Sequence, residues 1–304
     1  MNKIIEVTNL RKNYDSLTAV KDISFYVEQG KLFSYLGPNG AGKSTTIDIL
    51  CTFLDFSGGE VYIDGLDLRR HSQAIRKIIG VVFQDSILDD LLTVRENLTL
   101  RAGLYTSDKT EIRNAVYEAV QTTELGEIID RPYGKLSGGQ RRRADIARAL
   151  VHKPKILFLD EPTTGLDPQT RKSIWNTIKQ LQSKNGMTVF LTTHYMEEAA
   201  ESDYVIVIDH GEIAAKGTPA ELKTRYSSDT VRLFASDEAG LRQLLHDQKL
   251  DFTMSAGEFV VKLPDTMSAI PVLENCQTCI SGFQVLQGTM DDAFIGITGK
   301  ELRE

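Results

Sequence analysis

No stretch of this 304-residue chain approaches the roughly 18 consecutive apolar residues that a membrane-crossing helix needs. The opening Met1-Asn2-Lys3-Ile4-Ile5-Glu6 lacks the basic and apolar blocks of a secretory leader. A soluble, cytoplasmic polypeptide is expected, and any path through a membrane would belong to a partner. Cysteine is scarce: Cys51, Cys276 and Cys279 are too few for a disulfide framework and suit a reducing compartment. Cys276-Gln277-Thr278-Cys279 has C-x-x-C spacing, but no second ligand pair accompanies it, so it reads as incidental rather than as a zinc half-site. Positive charge is also short. The formal net charge of −7 argues against a nucleic-acid binder, which usually carries a basic face. Internal repeats and low-complexity tracts are missing too.

What is present is a set of short segments in a fixed order, on a chain long enough for two domains. Gly37-Pro38-Asn39-Gly40-Ala41-Gly42-Lys43-Ser44 fits the phosphate-binding pattern G-x-x-x-x-G-K-[ST]. It lies after an apolar run, Leu32 to Leu36, and before a helix-like stretch, Lys43 to Leu50, which is where such a loop belongs. Its glycines let successive N–H groups turn inward on phosphate oxygens, and the helix that follows presents its positive end to the same anion. Lys43 would pair with the β- and γ-phosphates, the Ser44 hydroxyl would hold Mg²⁺, and Thr45 continues the nucleotide-binding set.

Ile156 to Leu159 is an unbroken apolar run, as in a strand covered on both faces, and it ends in Asp160-Glu161. Asp160 can reach the metal, and Glu161 projects beside it, where an attacking water would sit. A second apolar strand, Thr188 to Leu191, runs into Thr192-Thr193-His194, which puts His194 where a sensor of the γ-phosphate is expected. Gln84 follows the apolar stretch Ile78 to Phe83, and its amide would contact both Mg²⁺ and water.

Leu136-Ser137-Gly138-Gly139-Gln140 opens a second helix, with Ser137 as its N-cap, Ile146, Ala149 and Leu150 at helical spacing, and Pro154 at its exit. It is a second anion site in a chain with one phosphate loop. Ser137 and the glycines are therefore expected to face the γ-phosphate of ATP held by another subunit. Arg141-Arg142-Arg143 reads in part as a solvated helix face, without a catalytic role.

Together these segments resemble the ATPase subunit of an ABC transporter, and the match spans roughly residues 3 to 220. The resemblance implies an α/β fold: a P-loop NTPase core with antiparallel β and helical subdomains. It implies that Tyr14 stacks on adenine, that Glu161 is the catalytic base beside Lys43, Gln84 and His194, and that Gln140 belongs to the signature. It also implies that Asp167, in Gly165-Leu166-Asp167-Pro168, touches the facing subunit. ATP and Mg²⁺ would be the nucleotide and metal, with Ser44, Gln84 and Asp160 as metal ligands. The partners would be a second ATPase subunit, identical or related, and an integral-membrane permease whose coupling helix docks on the helical subdomain, about 86–150. Such a subunit sits on the inner face of the cell membrane.

The motifs end before Tyr226-Ser227-Ser228-Asp229, which places an ATPase domain at 1–224 and an accessory domain at 225–304. In the tail, Thr230 to Ala235, Phe252 to Met254, Phe259 to Leu263 and Gly282 to Leu286 read as strands, and Glu238 to His246 and Met267 to Asn275 as helices. That order is β-α-β-β-α-β, a small α+β module of ferredoxin-like or similar type. Gly217 to Leu222 and Thr289 to Gly299 resemble the exporter branch linked to drug and antibiotic resistance, whose ATPases pair with a separate permease. Three other readings share the motifs: an importer ATPase, a soluble ABC ATPase working on ribosomes or nucleic-acid complexes, and a slow regulatory subunit. The resemblance of the tail favours export.

Overall fold

A computed structural model describes residues 2–15, 17–255 and 258–299. The chain divides into two compact units, Met1–Lys216 and Gly217–Glu304.

In the first unit, strands β1 (Lys3–Tyr14), β2 (Leu17–Glu28), β4 (Gly58–Ile63) and β5 (Leu66–Asp67) form an antiparallel sheet in the order β2-β1-β4-β5. A second sheet contains β3 (Leu32–Leu36), β6 (Ile79–Val82), β7 (Ile156–Asp160), β8 (Thr188–Thr193), β9 (Tyr204–Asp209) and β10 (Glu212–Gly217). Its order is β10-β9-β3-β8-β7-β6, and the pairings from β9 to β6 are parallel. β3 and β8 are buried throughout, and β7 up to Asp160, because both sheet faces are covered. Alternate residues serve opposite faces. Phe33, Phe158 and Phe190 pack with Phe25 and Ile47 on one side, while Leu32, Leu157, Leu159 and Leu191 pack on the other.

Helix α1 (Lys43–Leu50) follows β3, and α2 (Ser72–Ile78) leads into β6. Between β6 and β7 lie α3 (Val94–Ala102), α4 (Lys109–Thr122) and α5 (Gly138–Leu150). Each starts where a side chain satisfies the first N–H groups: Thr93 with Glu96, Asp108 alone, Ser137 with Gln140. α6 (Pro168–Asn185) begins at Asp167 with proline in its first turn and stops at Gly186, whose φ of 61° reverses the chain; α7 (Met196–Ala200) follows β8. Leu36 pairs with Thr193, and Asp160 with Thr192, so the loops leaving β3, β8 and β7 emerge side by side at one edge. That edge is where an open parallel sheet places a ligand.

The second unit runs through α8 (Pro219–Tyr226), β11 (Asp229–Ala235), α9 (Glu238–Asp247), β12 (Phe252–Ser255), β13 (Glu258–Leu263), α10 (Ala269–Cys276), β14 (Ile280–Leu286) and α11 (Met290–Thr298). Its sheet has the order β12-β13-β11-β14 with every neighbouring pair antiparallel. Val231, Leu233, Leu241, Phe259 and Val261 form its core, where the free thiols Cys276 and Cys279 are also buried. The helix expected from Met267 opens instead as a 3₁₀ turn, Thr266–Ser268, because Asp265 caps Ser268. Thr289 to Gly299, read in the sequence only for resemblance, is α11, closed by a Thr289–Asp292 capping box and packed on α8. Among the described residues, no helix is long and apolar enough to cross a membrane.

Candidate functional site

The loop from Gly37 to Gly42 joins β3 to the first turn of α1. Gly42 is the helix N-cap at φ 101°, and a Cβ there would lie 2.6 Å from the Ala19 carbonyl oxygen, so only glycine fits. Among the described residues, no hydrogen bond within the chain claims the N–H groups of Asn39, Gly40 and Gly42. They are donors available to an anion at a helix start. Lys43 is 4% exposed, and its Nζ donates to the carbonyls of Gly37 at 2.8 Å and Pro38 at 3.2 Å. Burial pushes the Lys43 amine below its ordinary pKa, against the pull of Glu161 and Asp160. A desolvated ammonium held only by carbonyls and one carboxylate is well prepared for phosphate oxygens.

At the end of β7, the Thr192 hydroxyl donates to Asp160 Oδ1 at 2.5 Å, and the Glu161 N–H reaches Thr192 Oγ1 at 3.1 Å. Burial raises the Asp160 pKa; Thr192, Lys43 and Arg142 oppose the rise, and Glu161 adds to it. Glu161 sits at φ 43°, a left-handed conformation that costs a non-glycine residue about 1–2 kcal/mol. That turn brings its two carboxylate oxygens to different partners: Oε1 lies 3.4 Å from Lys43 Nζ, and Oε2 lies 3.3 Å from His194 Nδ1. The His194 contact has ion-pair distance without hydrogen-bond geometry, so Nδ1 stays an orphaned buried nitrogen. Lys43, Asp160, Glu161 and His194 are thus brought together.

Gln84 is exposed just beyond β6, with its backbone carbonyl oxygen held by Arg142 Nη2 at 2.9 Å. Ser44 is exposed on the first turn of α1, and Tyr14 at the end of β1 is 43% exposed under the Lys12 ammonium. Ser44, Gln84 and Asp160 offer a hydroxyl, an amide and a carboxylate, hard oxygen donors that suit a small divalent cation sharing its shell with phosphate. Among the described residues, no cluster of three acidic, histidine or cysteine side chains offers another metal cage.

Ser137 and Gly138 are exposed at the start of α5, where the Ser137 N–H reaches Gln140 Oε1 at 3.0 Å. No hydrogen bond or ion pair joins 137–140 to the 37–45 loop among the described residues. Asp167 caps α6 through Thr170 N–H at 3.0 Å, and the Thr170 bonds hold its carboxyl below the usual range.

Three features were missed from sequence. Arg142 and Arg148 are not part of a solvated face: they are 8% and 4% exposed and bind the carbonyls of Phe83, Gln84 and Val81. Only Arg143 lies out toward an exposed acid, Glu124, at 4.0 Å. Thr192, which holds the Asp160 carboxylate and accepts from the Glu161 backbone N–H, could be suspected from hydroxyls at the end of an apolar strand. Buried Glu198, which accepts from Thr163 and Thr193, leaves no local signal.

A parallel sheet with a glycine loop, buried lysine and strand-end carboxylates at one edge defines a P-loop nucleoside triphosphatase. Residues 20–164 match the family model described as ABC transporter. The chain is 36% identical to the daunorubicin/doxorubicin resistance ATP-binding protein DrrA of Streptomyces peucetius, over 98% of this chain and 93% of that protein. It is also 36% identical to the Nod factor export ATP-binding protein I of Ralstonia nicotianae, over 99% and 95%. Among solved structures, the dimeric post-hydrolysis state of the ATP-binding cassette MJ0796 bound to ADP and Pi aligns at a TM-score of 0.65 and 31% identity, covering 70% of this chain and 98% of that one. The chain belongs to the ATP-binding subunits of ABC transporters and is an ABC ATPase.

Proposed function

We propose that this chain powers export through a separate membrane permease, closing as a dimer around two ATP molecules and opening after hydrolysis. The relatives named for resistance and export favour an outward direction, and their spread from drugs to a Nod factor leaves the cargo to the permease. Within the 1–224 segment, the unit that ends at Lys216 carries the ATPase, and the unit from Gly217, which takes in α8 as well as 225–304, is accessory to it.

Within one site, Tyr14 stacks on adenine, the 37–45 backbone and Lys43 bind the phosphates, and Ser137, Gly138 and Gly139 of the second copy close on the γ-phosphate. Gln140 holds Ser137 in that pose, and Asp167 meets the facing subunit. Ser44, Gln84 and Asp160 would hold Mg²⁺, which would supply neutralising positive charge to the phosphates when bound. Glu161 takes the proton of the attacking water, and His194 steadies the transferred phosphoryl group. The observation that carries the reading is the forked placement of Glu161, one oxygen toward Lys43 and the other toward His194.

Glu161→Gln keeps the shape and removes the proton acceptor. ATP affinity is expected to stay within about twofold while turnover falls by about 10²–10⁴, the range of general-base removal, and an ATP-dependent dimer accumulates in sedimentation. Wild-type turnover in this variant overturns the assignment.

A further inference from the structure

The helix that carries Ser137 is fastened to the segment that carries Gln84 by buried charged groups. Arg142 Nη1 donates to the Phe83 carbonyl at 2.6 Å, and Nη2 donates to the Gln84 carbonyl at 2.9 Å. One turn along α5, Asp145 accepts from Ser86 Oγ at 2.8 Å and from the Tyr133 hydroxyl at 3.2 Å, and it supplies opposite charge to Arg142. One turn further, Arg148 donates to the Val81 carbonyl. Beside it the backbones touch: a Cβ on Gly80 would lie 2.5 Å from the Ala149 carbonyl oxygen. Positions 142, 145, 148 and 149 follow helical spacing, so one stripe of α5 grips the chain from Gly80 to Ser86. Simple packing would be served by apolar residues, since a buried guanidinium is costly unless every donor finds a partner. The planar fork of arginine fixes direction as well as distance, which a methylene contact does not.

We propose that Arg142 is a positioning residue that locks the Gln84 segment to the helix headed by Ser137. This rests on the shared-site reading above, in which Gln84 serves the chain's own nucleotide and Ser137 the opposite one. With the fork in place, a displacement at Gln84 turns α5 as a rod and re-aims Ser137. One chain then cannot accommodate its own nucleotide without adjusting its grip on its neighbour's.

The test compares Glu161→Gln with Glu161→Gln/Arg142→Met and Glu161→Gln/Arg142→Lys. ATP-driven dimerisation is followed by sedimentation, ATP affinity by fluorescence under dilute monomeric conditions, and amide exchange without nucleotide at 81–86 and 137–140. With methionine, half-dimerisation is expected to need at least about tenfold more ATP, which corresponds to ~1.4 kcal/mol, near the worth of one charge-assisted hydrogen bond. ATP affinity stays within about twofold, and exchange rises at both segments together. Lysine, with a point charge and no fork, falls between the two. A purely structural role would lower the melting temperature without separating ATP affinity from dimerisation. Dimerisation at the same ATP level as Glu161→Gln, with exchange unchanged at 137–140, overturns the proposal. If methionine prevents folding, the lysine variant decides by the same readouts. If Glu161→Gln alone stays monomeric, the shared-site reading fails, and the exchange measurement still judges Arg142.

Discussion

Glu198 never reaches the nucleotide loop, yet it ties together two segments of the site. Its carboxylate is 4% exposed and accepts from Thr163, two residues after Glu161, and from Thr193, directly before His194. Burial pushes its pKa above the ordinary 4.5, while the two hydroxyls, Arg171 and His194 pull the other way without cancelling the rise. The folded state therefore holds this proton at a pH where the unfolded chain has released it. The stability contributed by the protonated form is complete below the unfolded pKa and is lost as pH climbs through the folded one. Glu198→Gln mimics the protonated side chain at every pH. Its melting temperature relative to wild type is expected to be more favourable at pH ~8 than at pH ~5, measured by calorimetry in matched salt. Asp160 and Asp145, also raised by burial, are present in both proteins and drop out of the difference. A relative melting temperature that is flat with pH, or that becomes less favourable toward alkaline pH, contradicts this account of Glu198.

Packing between helices accounts for one signature glycine without any nucleotide. A Cβ on Gly139 would lie 2.3 Å from the Thr170 methyl carbon, so the first turn of α5 rests directly on the first turn of α6. Gly139→Ala gains up to ~1 kcal/mol of helix propensity but overpacks this contact, for a net loss of about 1–2 kcal/mol. Thr170→Ser deletes the offending methyl and keeps the N–H that donates to the Asp167 cap. The double variant should recover most of the loss, giving a coupling near 1 kcal/mol in urea melts, whereas additive effects would mean that the two helices yield without strain. Legibility in the sequence divides along the same line. β3, α1 and the start of α5 could be placed because an apolar run, a glycine loop and a serine cap act over a few neighbouring residues. The tail strands could be placed for the same reason, since their alternation is local. Arg142 could not be read, because its burial is decided by its bonds to the carbonyls of Phe83 and Gln84, 59 and 58 residues away in sequence. Thr192 and Glu198 escaped for a related reason: their roles exist only once β7 pairs with β8 and places Asp160 opposite Thr192. The left-handed turn at Glu161 is likewise a product of its surroundings, imposed on a residue with no preference for it.

At the scale of the whole molecule, the question is how many chains make one working site. Each chain has a phosphate loop with Lys43 buried beside Glu161, and a separate exposed serine cap at 137 with no bond to that loop among the described residues. If a symmetric pair completes each site with the cap of the other copy, the two defects must complement. Lys43→Ala removes the ammonium from a chain whose Ser137 is intact, and Ser137→Arg blocks the cap of a chain whose Lys43 is intact. Each variant alone should release phosphate at background rate. Mixed in equal amounts, half of the dimers are hybrids, and each hybrid has one site built from the sound loop of one chain and the sound cap of the other. Phosphate release should recover to about a quarter of wild type if the sites turn over independently, and to less if both must fire together. A site contained within one chain gives no recovery at any mixing ratio, because every chain would still carry its own defect.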